Sequence, residues 1–212
     1  MLTLKIDEDT ILRTLQLDDA DALFRLVDHN RPHLREWLPW VDANATIEDT
    51  RMFILSSQEQ HVSNLGFQTG IWYHGQMAGV IGFHKIDWQN RNVEIGYWLG
   101  AEFQGHGIVT KACRRLIEYA FDVYKLNRVQ IRCATENRKS CAIIERLGFN
   151  REGLSRQAEF LYDHFVDLYV YGMTADEWKA RSGNSGRHES SDRPGRNANG
   201  NHHGNETSSS AR

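Results

Sequence analysis

The chain is poor in cysteine, has no long apolar run and carries no excess of positive charge, and each scarcity closes off a class of protein. Its three cysteines, Cys113, Cys133 and Cys141, are scattered, odd in number and form no C-x-x-C pair. That argues against a zinc ribbon or a disulfide scaffold and leads us to expect reduced thiols in a cytoplasmic protein. No apolar stretch approaches membrane-spanning length, and the first residues lack a signal-peptide pattern, so no membrane partner is expected. A formal net charge of −3 and a pI near 6.4 speak against nucleic acid as a direct partner.

What remains is a chain of 212 residues, 40% of them hydrophobic, enough to bury one good core in one domain. Composition changes abruptly after Ala180. Residues 181–212 are almost all Gly, Ser, Asn, Arg, His and acidic residues, with no aliphatic side chain larger than alanine. Such a segment cannot offset its ordering entropy. We therefore expect a folded domain over 1–180 and a disordered polar tail over 181–212.

Pattern reading places strands near 2–6, 10–15, 66–73, 76–86, 92–99, 128–134, 149–157 and 164–174. Helices are expected from Asp18, as N-cap, to about His29; from a Thr46/Asp49 capping box to about His61; over 107–124, with Ile108, Ala112, Leu116, Ala120 and Val123 on one face; and from Asn137 or Ser140 to Leu147-Gly148. The expected fold class is α/β, a mixed central sheet of about seven strands with helices on both faces.

The most informative stretch joins the strand Glu94-Ile95-Gly96-Tyr97-Trp98-Leu99 to Gln104-Gly105-His106-Gly107-Ile108-Val109-Thr110 and a long helix. A strand, a glycine-rich turn and a helix N-terminus aim backbone N–H groups and the positive end of a dipole at one spot, which suits phosphate. A nucleotide P-loop is excluded, because His106 and Gly107 stand where Lys and Ser/Thr are required after the Gly100/Gly105 pair. A dinucleotide fingerprint fails at Thr110, where it needs its third glycine.

The loop resembles the acetyl-CoA pyrophosphate loop of the GCN5-related N-acetyltransferases (GNAT), Gln/Arg-x-x-Gly-x-Gly/Ala. Gln104, Gly107 and Val109 occupy the defined positions, Val109 in place of the usual small residue. Asn137-Arg138-Lys139-Ser140 with Glu145-Arg146-Leu147-Gly148-Phe149 resembles the family's second cofactor segment. Within the family, Trp37-Leu38-Pro39-Trp40, Glu94 to Trp98, Gln157-Ala158-Glu159-Phe160-Leu161 and Asp167-Leu168-Tyr169 are similar to the ribosomal-protein N-terminal acetyltransferases of the Rim type. The likeness covers about residues 1–178.

It implies transfer of acetyl from acetyl-CoA to a primary amine, with Trp98, Leu99, Gln104, Gly105, His106, Gly107, Ile108, Val109, Thr110, Asn137 and Ser140 holding the cofactor. No metal is implied: His29 and His33 have helical ligand spacing, but Pro32 lies between them and no third ligand is evident.

An amine must be neutral to attack a thioester. An α-amine, with a pKa of about 7.7–8, needs less help at neutral pH than a lysine at about 10.4. By resemblance Glu159 is the expected base, with Glu94, on the strand beside the loop, as the alternative acting through water. Many relatives carry an acidic tyrosine five residues before the Phe of Gly-Phe; here that residue is Ile144, and Ser140 is the expected acid. Trp37, Trp40, Tyr97 and Phe160 are candidates for an acceptor pocket, aromatic faces suiting an ammonium. The acceptor stays open between a protein N-terminus and a small amine such as an antibiotic or polyamine. A non-catalytic acetyl-CoA-binding module stays open as well, and so does a homodimer.

Overall fold

The computed structural model describes residues 1–185, and the stretch 186–212 expected to be a disordered tail lies outside the described residues. Its eight strands form one sheet in the order β1-β2-β3-β4-β5-β6-β8-β7. The strands are β1 (Thr3–Lys5), β2 (Thr10–Thr14), β3 (Phe67–Tyr73), β4 (Gln76–Phe83), β5 (Asn92–Leu99), β6 (Arg128–Ala134), β7 (Asn150–Leu161) and β8 (His164–Thr174). The helices are α1 (Ala20–His29), α2 (Arg31–Arg35), α3 (Ile47–Val62), α4 (Ile108–Glu118), α5 (Arg138–Arg146) and α6 (Ala175–Ser185). The sheet is mixed, as expected, and mostly antiparallel, its eight strands in keeping with the anticipated seven or so.

Strand β4 shows why both faces are covered. Met77 and Val80 join the cluster containing α1 and α3 residues Leu23, Leu26, Val27 and Ile54. Ala78 and Ile81 join the other cluster, with Ala112, Leu116 and Ile117 of α4. With the register shift at Ala78 putting Met77 on the same side as Val80, the two faces of one strand thus feed two cores, the arrangement of a central strand between helical layers.

The feature that makes the site is the join of β5 and β6. They pair in parallel only over Asn92–Glu94 and Arg128–Gln130. Beyond Glu94 the ladder stops while both strands continue, and the space between Ile95–Leu99 and Ile131–Ala134 opens into a cleft.

Several local expectations change. Asp18 does not cap α1: Asp19 accepts from the Gln16 N–H at 2.8 Å and pairs with Arg13, on a short 3₁₀ turn, Leu17–Asp19, that leads into the helix. The helix expected to reach 124 stops at Glu118 and passes into a π-type turn over Tyr119–Val123. The changed phase buries Ala120 and Phe121 and turns Val123 out, 54% exposed.

The C-terminal helix α6 was not anticipated and crosses the expected boundary at 180 by running to Ser185. Its signal was present as Thr174-Ala175-Asp176-Glu177, whose Thr and Glu form a reciprocal capping box. Trp178, nearly buried, ties it to the core.

The cysteines are also corrected. The strand-to-helix connection brings Cys133 of β6 and Cys141 of α5 to a Cα separation of 6.1 Å, where they form a disulfide. Cys113 remains a free thiol in the core.

Candidate active site

The cleft has a volume of about 1600 Å³ and is walled by β5, the loop into α4, β6, the start of α5, the segment after α2, and Glu159 of β7. Its cofactor-side geometry begins at the glycine turn. Gly105 and Gly107 have φ of +84° and +71°, left-handed values that glycine adopts freely. Gly107 is also the N-cap of α4, so no side chain caps that helix.

The contrast with two other helices is instructive. Thr46 caps α3 and Asn137 caps α5 by accepting from the N–H three residues on. The first amides of α4 have no such partner and face the cleft. An uncapped helix end in an open cleft fits a pyrophosphate. Gln104, one wall of this mouth, is held at its side-chain amide by His33 at 2.9 Å and Lys139 at 3.0 Å.

Gln104, Gly105, Gly107, Ile108, Val109 and Thr110 all line the cleft, as do Trp98, Leu99, Asn137 and Ser140. Ile108 and Val109 bury their side chains in the core, which leaves their backbone amides for a ligand. His106 does not line the cleft; its ring packs on Tyr73 at 5.7 Å.

Ser140 sits on the first turn of α5, its N–H donating to the capping Asn137 at 3.1 Å. Its Oγ lies 2.8 Å from the hydroxyl of Tyr97. Burial pushes the Tyr97 phenol well above its ordinary pKa, the neighbouring Cys113 adds to this, and the Ser140 hydrogen bond opposes it. Tyr97, expected as an acceptor-pocket wall, does line the cleft, half-buried, and its hydroxyl is the partner of the serine's.

The two carboxylates differ sharply. Glu94 Oε1 and Oε2 accept from Arg132 Nε at 2.9 and 3.0 Å, Oε2 also accepts from Gln130 at 3.2 Å, and His84 Nδ1 lies 3.6 Å from Oε1. Burial would raise its pKa, but His84 and Arg132 together hold it below the usual carboxylate value. Glu159 has no such partner among the described residues. Burial raises its pKa; Arg132 opposes and Glu94 adds to the rise.

The expected acceptor wall is partly assembled. Trp37 and Trp40 line the cleft, and Trp40 packs on Trp98 at 5.8 Å. Phe160 does not: it is 50% exposed and stacks on Phe165 at 4.8 Å, on the opposite side of β7 from Glu159. The hairpin end instead reaches the tryptophan segment through Tyr162, whose hydroxyl donates to the Leu38 carbonyl at 2.6 Å and whose ring lies under the Arg35 guanidinium at 3.8 Å.

Sequence reasoning missed Arg132 and His84. The signal for Arg132 was its place two residues beyond Gln130, on the same face of β6, but the parallel register of Glu94 with Gln130 is a tertiary fact. Among the described residues no group of three His, Cys, Asp or Glu side chains could hold a metal ion. No helix among them is long and apolar enough to cross a membrane.

A helix end open to a pyrophosphate, beside a splayed pair of strands with a serine hydroxyl and two carboxylates on its walls, defines the class as a coenzyme A-dependent acyltransferase. Comparison with known proteins agrees. Residues 9–150 match the acetyltransferase (GNAT) domain family. The Bacillus subtilis protein YdaF is 38% identical over 180 residues, covering 84% of this chain and 98% of YdaF. The ribosomal-protein-serine acetyltransferase of Escherichia coli is 32% identical, covering 82% of this chain and 97% of the relative. The solved structure of RimL, the ribosomal L7/L12 alpha-N-protein acetyltransferase, in complex with coenzyme A superposes with a TM-score of 0.79 at 29% identity, covering 83% of this chain and 99% of RimL.

The chain belongs to the GNAT family. It is an acetyl-CoA-dependent N-acetyltransferase of the Rim type.

Proposed function

We propose that the acceptor is the N-terminal α-amine of a protein, of the ribosomal serine or alanine type, with Glu159 as base and Ser140 as acid. The observation that carries this reading is the division of labour between the carboxylates. Glu94 is occupied by Arg132, Gln130 and His84 and held ionised; Glu159 borders the same cleft, half-buried and unpaired, with its basicity raised by burial. The names of the E. coli relative and of RimL point to ribosomal-protein acceptors, and such an acceptor would put the reaction in the cytoplasm.

Acetyl-CoA, when bound, supplies an acetyl thioester. The backbone amides from Gln104 to Thr110 hold its pyrophosphate, and Asn137 and Ser140 border its path across the β5–β6 splay. Glu159 accepts a proton from the acceptor ammonium, which near neutral pH requires only a weak base because an α-amine titrates at about 7.7–8. As the amine nitrogen bonds to the acetyl carbon and the C–S bond breaks, Ser140 Oγ, beside the Tyr97 hydroxyl, would give its proton to the departing sulfur and take back the one the new amide nitrogen loses, while the proton on Glu159 returns to water. Trp37 and Trp40 line the cleft, where aromatic rings suit an incoming cation.

The test is acetyl-CoA with a panel of peptides beginning with serine or alanine, alongside polyamines and aminoglycosides. The expected result is release of CoA with peptides, and mass spectra that place the acetyl on the α-nitrogen. Preference for a small amine would overturn the acceptor assignment, and no release above hydrolysis across the whole panel would remove the catalytic reading.

A further inference from the structure

Strand β7 does not pair evenly with β8. Ser155 faces Leu168, and the next register pair is Glu159 with Val166. Arg156, Gln157 and Ala158 therefore stand opposite Asp167 alone, two residues in surplus. An even ladder continued from Ser155 would set Gln157 opposite Val166 and Glu159 opposite His164, at the hairpin end. A slip of two keeps each side chain on its own face, because strand side chains alternate with period two. It would, however, carry Glu159 two residues along β8, about 6–7 Å, away from the cleft wall. The bulge is what stops Glu159 short of the hairpin end.

The bulge has a strained residue and an anchor. Gln157 has φ of +49°, uncommon for a residue with a side chain. Its N–H donates to Asp167 Oδ1 at 2.8 Å. Asp167 is itself fixed from the other side, its carbonyl accepting the Thr135 N–H at 3.0 Å, at the end of β6 just before the turn to Asn137. One residue thus ties the bulge of β7 to the segment that leads into α5 and Ser140.

We propose that Asp167 is a positioning residue: by accepting the Gln157 N–H it holds the two-residue bulge that sets Glu159 on the cleft wall. Its kinetic consequence rests on Glu159 being the base, as read above; the placement itself does not. Asp167 is not among the residues that line the cleft, and its carboxylate acts through the geometry of β7.

The test compares Asp167→Ala, Asp167→Asn and the double substitution Asp167→Ala with Gln157→Gly. In Asp167→Ala, kcat is expected to fall about a hundredfold while the KM for acetyl-CoA stays within about twofold, the signature of a misplaced catalytic group. The Glu159 carboxylate, followed by ¹³C NMR on glutamate-labelled protein and assigned with Glu159→Gln, is expected to titrate at lower pH as it leaves its buried place.

Asp167→Asn keeps an oxygen acceptor, and glycine at 157 adopts positive φ without an anchor, so both should recover most of the rate and of the titration. Wild-type kcat and wild-type titration in Asp167→Ala would overturn the proposal. If that variant does not fold, Asp167→Val removes the same acceptor with a side chain that favours a strand, and carries the same expectations and the same overturning result. Should Glu159→Gln keep wild-type turnover, the base assignment falls alone. The NMR titration then still decides the positioning, because it reads where the carboxylate sits and not what it does.

Discussion

The hydroxyls of Tyr97 and Ser140 meet at 2.8 Å across the gap between β5 and α5. Two elements far apart in the chain, one on each side of the strand splay, are thereby joined at the wall of the cleft. The family's acidic tyrosine is absent from its usual place, where Ile144 is buried in the core instead. A phenol nevertheless reaches the serine from β5. Burial, which raises its pKa, keeps the phenol protonated, so it shares a hydrogen bond with Ser140 Oγ and is a poor proton source in its own right.

Ser140→Ala should lower kcat about tenfold to a hundredfold, at or below the lower end of what a general acid supplies. Tyr97→Phe should produce a smaller fall, because the serine keeps its own proton. The double variant should be no worse than Ser140→Ala, since the phenol acts only through the serine. Steady-state rates of CoA release on one peptide check this, and additive losses would mean that the two hydroxyls act independently.

The pH dependence follows from the charges around Glu159. A base works only when deprotonated, so activity should fall as pH drops through the folded pKa of Glu159, which burial raises. Glu94→Gln removes a negative charge that contributes to that rise, and the acid limb of kcat/KM should move to lower pH. Arg132→Gln removes the cation that opposes the rise, and the limb should move to higher pH.

The same raised pKa has a stability consequence of fixed sign. Between the unfolded and folded pKa values the native state binds more protons. Stability associated with Glu159 is therefore present below the unfolded value and lost as pH rises through the folded one. Glu159→Gln should accordingly unfold at the same or a higher temperature than the wild type near neutral pH, a shift that calorimetry reads directly. A clearly lower melting temperature there would show that the ionised carboxylate has a native partner.

Much of this was legible in residue patterns. The glycine turn, the Thr46/Asp49 box and the alternating strands are local signals, and each appears where local physics puts it. What stayed hidden depends on contacts between distant elements. The parallel register that brings Arg132 beside Glu94 leaves no mark in either strand. The π-type turn after Glu118 breaks a period that the side chains alone would have continued. Phe160 was assigned to the acceptor wall by its neighbours, yet strand alternation beside a Glu159 that borders the cleft sends it to the opposite face. The Cys133–Cys141 pairing likewise needed β6 and α5 to be placed in space. The bulge that places Glu159 could not have been read from Gln157, which carries no glycine or asparagine signal for its positive φ.

Gly107→Ala tests the cofactor cradle. Nothing lies within 4 Å of an added Cβ, so the substitution meets no clash, and its cost is the left-handed φ of +71° alone. That strain is about 1–2 kcal/mol. Relaxing it would turn the first amides of α4 away from the cleft. The dissociation constant for acetyl-CoA, measured by calorimetry, should rise about tenfold, while kcat at saturating cofactor stays close to wild type. An unchanged affinity would mean that the amides are not the anion site.

Tyr162 joins the β7–β8 hairpin to the tryptophan segment, and this link should matter to the acceptor rather than to acetyl-CoA. Its hydroxyl donates to the Leu38 carbonyl, between Trp37 and Trp40, while Arg35 covers its ring. Tyr162→Phe keeps the ring under the guanidinium and removes only the hydrogen bond. A half-buried bond of this kind contributes about 1 kcal/mol. Its loss frees the segment to shift relative to the wall that carries Glu159. The KM for peptide should rise several-fold, by about the factor of five that 1 kcal/mol corresponds to, with the KM for acetyl-CoA unchanged. Equal effects on both substrates would place the tryptophan segment on the cofactor side of the cleft and remove it from acceptor binding.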